Sequence, residues 1–139
     1  MAPFILSVRP LPDSQLDSDT LARRGVPALA APLLEPQPIA PTLPDDPSRY
    51  AGLIFTSRHA VDGFLAALGH GGPGGWAALP VFAVGRATAR VARAAGFSVK
   101  VTGHGGGSGL APLIGEHVDS GGLPLLWPAA RDRGFDMVA

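Results

Sequence analysis

A chain of 139 residues with 46% hydrophobic composition is long enough to bury one ordinary core, and it excludes a fibrous or wholly disordered polypeptide. Eleven basic residues balance eleven acidic ones, which excludes the broad cationic face of a general nucleic-acid or membrane-surface binder. With no cysteine, the chain can build no disulfide framework, no thiolate nucleophile and no cysteine-ligated zinc or iron–sulfur site.

The first residues carry no basic segment ahead of an apolar one. Arg9 and Pro10 interrupt the apolar run well short of a spanning length, so the cytoplasm is the expected location. Residues 4–8 (Phe-Ile-Leu-Ser-Val) read as a short buried strand, and residues 13–24 as a helix closed by Gly25. Residues 26–34 read as a second strand, which Pro27 and Pro32 confine to an edge or a bend because proline cannot donate to a ladder. Residues 35–48 hold five prolines in fourteen positions, an extended and semi-rigid connector that marks the best domain boundary.

Beyond the connector, apolar runs alternate with helical spacing, the pattern of βα units around a parallel sheet. A strand over 52–56 leads to a helix over 58–68 with Ala60, Val61, Phe64, Leu65 and Leu68 on one face, then a loop over 69–75. A strand over 80–84, a helix over 87–95 closed by Gly96, and a strand over 97–102 follow. A glycine loop over 103–109, a helix over 110–118 and a strand over 123–127 come next, and residues 131–139 read as the opening turns of one more helix. The division expected is therefore 1–35 as a βαβ segment of a first, incomplete domain, 36–50 as a crossing, and 51–139 as a second α/β domain whose last unit is incomplete.

Three strand-to-helix junctions share one design. Thr56-Ser57, Gly85-Arg-Ala-Thr88 and Gly107-Ser-Gly109 put small or hydroxyl residues where backbone N–H groups lie unpaired at a helix start, and such starts attract anions. In an open parallel sheet all three fall along one rim, although each serine also suits a plain helix cap. The glycine loop lacks the Gly-Lys-Ser/Thr of a phosphate-binding P-loop, and Val84-Gly-Arg-Ala-Thr-Ala89 lacks dinucleotide-binding spacing, so nucleotide binding is disfavoured. His59, His70, His104 and His117 form no metal-ligand spacing, and only His104 falls on the rim. The strand ends carry Arg9, Thr56, Gly85 and Pro128 where a receiver domain would need an aspartate. Such a rim acts by positioning and electrostatics more readily than by proton shuttling.

The segments Ile5-Leu-Ser-Val-Arg-Pro10, Gly52-Leu-Ile-Phe-Thr-Ser-Arg-His-Ala-Val61, Pro80-Val-Phe-Ala-Val-Gly-Arg-Ala-Thr-Ala-Arg-Val91, Ala95-Gly-Phe97 and Gly105-Gly-Gly-Ser-Gly-Leu110 resemble the uroporphyrinogen-III synthase family in content, order and spacing. The resemblance implies two flavodoxin-like parallel sheets with helices on both faces, joined by an extended two-strand crossing. It implies cyclisation of the linear tetrapyrrole hydroxymethylbilane to uroporphyrinogen III, with inversion of the last ring and loss of water, without metal or organic cofactor. The substrate's eight carboxylates suit many N–H and hydroxyl donors. Carried over by position, the family's motif residues fall on Arg9, Thr56, Ser57, Gly85, Thr88 and Ser108, which are expected to bind substrate, Thr88 being the hydroxyl most often linked to substrate contact in the family, with no general base among them.

The chain departs from the family pattern in carrying Trp127-Pro128-Ala129 where many bacterial members have Arg-Gly. The return crossing, its tyrosine and most of the first domain are also missing from these residues, so a truncated chain of doubtful activity is expected. A complete chain would be a monomer, and a truncated one could self-associate. The alternative from a different class is a non-enzymatic flavodoxin-like module that completes its sheet with a partner chain.

Overall fold

The computed structural model describes residues 3–39, 41–69 and 71–131. The expected helix over 131–139 therefore lies outside the described residues beyond Arg131, as does His70. Backbone contacts divide the chain into two units, Met1–Gln37 and Pro38–Ala139.

In the first unit, β1 (Ile5–Ser7) and β2 (Ala28–Ala30) form a parallel pair, connected by α1 (Asp13–Arg23). β2 is shorter than the nine residues its composition suggests, and the prolines are the reason. The pairing continues irregularly on both sides, since the Ile5 amide donates to the Pro27 carbonyl at 2.9 Å and the Leu33 amide to the Val8 carbonyl at 3.3 Å. Pro32 sits between these contacts without a donor of its own.

The second unit is a four-stranded, all-parallel sheet in the order β5-β4-β3-β6. Its strands are β3 (Gly52–Phe55), β4 (Pro80–Ala83), β5 (Ser98–Thr102) and β6 (Leu125–Leu126), and its helices α2 (Arg58–Leu68), α3 (Arg86–Ala94) and α4 (Leu110–Gly115). Three strands step outward in one direction, and the fourth returns to the far side of β3. The helices therefore cover both faces. Leu53, Phe55 and Val81 pack with Val61, Phe64, Ala92 and Phe97 of the α2–α3 side, whereas Ile54 and Phe82 pack with Leu110 of α4. Burial on both faces explains why β3 and β4 are continuous apolar runs with no polar alternation.

Two features were not visible in the apolar pattern. A 3-10 turn at Gly74–Ala78, within and just past the stretch expected to be loop, folds Trp76 into the core at 5% exposure. There its ring lies 5.4 Å from Phe64 edge-on and 5.8 Å from Tyr50. The second is a bulge. Val81 pairs with Val99 but Phe82 pairs with Val101, so Lys100 is an extra residue in β5. The bulge lets Val99 join the α2–α3 core while Val101 joins the α4 core.

Candidate functional site

Because the four strands of the second unit are parallel, their carboxyl ends share one edge. Along it stand the glycine loop after β5, Val84-Gly85 after β4, Thr56-Ser57 after β3 and Trp127 after β6. Backbone bonds tie neighbouring ends together: the Val84 amide donates to the Phe55 carbonyl at 3.0 Å and the Gly103 amide to the Ala83 carbonyl at 2.8 Å. The direction of strand progression reverses between β3 and β6, and a crevice opens at such a reversal in doubly wound sheets.

The hydroxyls are presented differently. Ser57 is the N-cap of α2, its Oγ accepting the Ala60 amide at 3.1 Å. Since that lone pair is taken by a donor, the serine's own proton does not lie along it. Thr56 is in the same condition: its Oγ1 accepts the indole Nε1–H of Trp127 at 3.3 Å. Gly85, extended at φ −169°, is the N-cap of α3 and brings no side chain to the cap. Thr88, the third residue of that helix, is buried to 5% exposure, so little of it is open to a ligand.

The third junction is built unlike the other two. α4 is only six residues long, Gly109 is its N-cap without a side-chain bond, and Ser108 stands exposed in a 3-10 turn, Gly107–Gly109. The glycines are required sterically. Gly106 has φ 94°, and a Cβ on Gly109 would collide with the His104 carbonyl. The loop is thus a tight turn in which Ser108 caps nothing.

Arg9 lies in the other unit, at the end of β1, with its guanidinium held by two carboxylates. Nη2 donates to Asp13 at 3.0 Å and Nη1 to both Asp17 oxygens at 3.0 and 3.1 Å, while Ser7 Oγ donates to Asp17 at 2.9 Å. One cation and two anions leave this cluster net negative. The structure thus gathers Thr56, Ser57, Gly85 and the Ser108 loop on one edge, with Thr88 just inside it, while Arg9 belongs to the other unit. His104 is exposed in the glycine loop, and His117, just past α4, is exposed with Nδ1 2.9 Å from the Leu113 carbonyl. Among the described residues no three His, Asp or Glu side chains cluster as a metal site, and no helix is long and apolar enough to cross a membrane.

Trp127 had no functional role in the sequence reading. It closes the expected strand over 123–127 and stands where many family members have Arg-Gly, but a strand order is needed to see that it reaches Thr56.

A doubly wound parallel sheet with hydroxyls and backbone N–H groups at its strand ends, and no nucleotide fingerprint, defines an α/β protein whose sheet edge carries hydrogen-bond donors. Residues 17–136 match the family model described as Uroporphyrinogen-III synthase HemD, and the chain belongs to that family. No curated protein matches the chain significantly.

Proposed function

We propose that the chain acts as a uroporphyrinogen-III synthase, a cofactor-independent carbon–oxygen lyase that closes hydroxymethylbilane to uroporphyrinogen III in tetrapyrrole biosynthesis, in the cytoplasm. The observation that carries this reading is the row of donors at the sheet edge, lying wholly inside the matched residues 17–136. Thr56 and Ser57 each accept one hydrogen bond and keep a proton to donate, as carboxylate recognition needs. Gly85, Thr88 and Ser108 extend the same edge with backbone N–H groups and hydroxyls. Arg9 is a further expected carboxylate contact: of its five N–H donors at most three serve Asp13 and Asp17. With no general base proposed, the edge contributes by holding the linear substrate with its ends together.

The test is turnover of hydroxymethylbilane by the 139-residue chain, with the product isomer resolved. Formation of the type III isomer supports the reading. Only the type I isomer of spontaneous closure rejects it.

A second reading is favoured by one observation. The two-stranded sheet of the first unit leaves Leu6, Val8 and Leu29 between 42% and 55% exposed, as in a module that binds a partner chain. Light scattering separates the two: a stable monomer over a wide concentration range counts against completion by a second copy.

A further inference from the structure

Resting on the synthase reading for its substrate class, we infer that Trp127 is a positioning residue: its indole N–H fixes the Thr56 hydroxyl as a hydrogen-bond donor toward a carboxylate at the crevice between β3 and β6. The placement follows from register. Leu126 pairs with Leu53, so Trp127 stands beside Ile54, and Thr56, two residues further along β3, is its diagonal neighbour on the same face. Ile54 and Trp127 both belong to the α4-side core, which holds the indole while its nitrogen reaches Thr56 at 3.3 Å.

The chemistry is directional. An indole nitrogen donates only, whereas a hydroxyl has one proton and two lone pairs. Once Thr56 accepts from Trp127, its proton must point elsewhere, and the strand end it occupies lies where the strand order reverses, the place at which doubly wound sheets bind ligands. Withdrawal of electron density by the indole donor also makes that proton the better donor. A carboxylate, which can only accept, is matched by the proton this arrangement leaves to Thr56.

The test uses the whole chain and mellitate, benzene hexacarboxylate, as a stable polycarboxylate probe. The two tryptophans give two indole N–H signals in a proton–nitrogen correlation spectrum, assigned by Trp127→Phe. Mellitate should move the Trp127 signal and leave that of Trp76, which is in the core. Thr56→Val should shift the Trp127 signal in the free protein. By calorimetry, Thr56→Val and Trp127→Phe should each weaken mellitate by about 2- to 10-fold, as loss of one net hydrogen bond predicts. Thr56→Ser should restore both the signal and the affinity, which a merely structural contact would not require. Should Thr56→Val fail to fold, Trp127→Phe carries the same comparison with Thr56 intact and the Trp76 signal reporting the fold.

Mellitate binding that is equal in wild type and Thr56→Val, an indole signal unmoved by Thr56→Val, or no binding to the wild-type chain overturns the inference. Hydroxymethylbilane turnover is measured alongside. Mellitate results as expected without type III product leave the Trp127–Thr56 pair standing and reject the synthase reading. Type III product with an unchanged Thr56→Val does the reverse.

Discussion

Gly52 leaves no room for a methyl group. A Cβ there would lie 2.6 Å from the Pro80 carbonyl oxygen and 3.2 Å from Leu125, between the two strands that flank β3. Gly52→Ala must therefore spread the sheet, and thermal denaturation should report a loss of about 1–3 kcal/mol. Arg9 gives the opposite case. Its side chain is 57% exposed, so its bonds to Asp13 and Asp17 are screened by water. Arg9→Ala should cost about 1 kcal/mol or less, and Arg9→Lys should recover only part of it, because an ammonium cannot fork between two carboxylates. If Arg9→Ala leaves KM for hydroxymethylbilane unchanged, the residue serves the fold of its own unit rather than the substrate.

At the scale of elements, α2 depends on its start. Ser57→Ala removes the bond to the Ala60 amide and should cost about 1 kcal/mol in denaturant unfolding. Asp46 plays the same part for the 3-10 turn Pro47–Arg49. The Ser48 hydroxyl and amide donate to its carboxylate, and with the nearby Arg49 they hold its pKa below the ordinary value. A carboxyl lowered in this way adds stability above its unfolded pKa, near 3.9, and loses it as pH falls through the folded value. The amides of that turn should lose protection, relative to their intrinsic exchange rates, below about pH 4, and Asp46→Asn should remove that loss.

The elements also show what was legible in the chain. The helix over 58–68 was readable to the residue, because Ser57 starts it, Gly69 ends it, and Val61 and Phe64 repeat at helical spacing. The Trp76 turn was not, since the glycines beside it suggest loop, and only Tyr50 and Phe64, distant in sequence, give the indole a place. The hydroxyl residues of the edge were readable from spacing. The burial of Thr88, the pairing of Arg9 with Asp17 and the reach of Trp127 to Thr56 were not, because each depends on tertiary neighbours.

For the whole molecule, the two units should differ in how they open. β3 and β4 are central, covered on both faces and lined by fully buried side chains, whereas β1 and β2 form a two-stranded sheet with exposed apolar residues. Two strands alone are marginal in water. Hydrogen exchange should therefore protect Leu53–Phe55 and Val81–Ala83 to the level of global unfolding and release β1 and β2 much sooner. Equal protection in both units would contradict this ordering.

The bulge at Lys100 has a consequence for the length of β5. Val99 and Val101 face opposite sides only because one residue between them is set aside from the ladder. In a regular strand, adjacent residues face opposite sides anyway. A chain lacking Lys100 should thus pair Val101 directly after Val99, keep both cores filled and fold with a near-native melting temperature. Omission of Phe82 from β4 would turn every later side chain to the wrong face. β5 is a site where this sequence can lose one codon without changing the architecture.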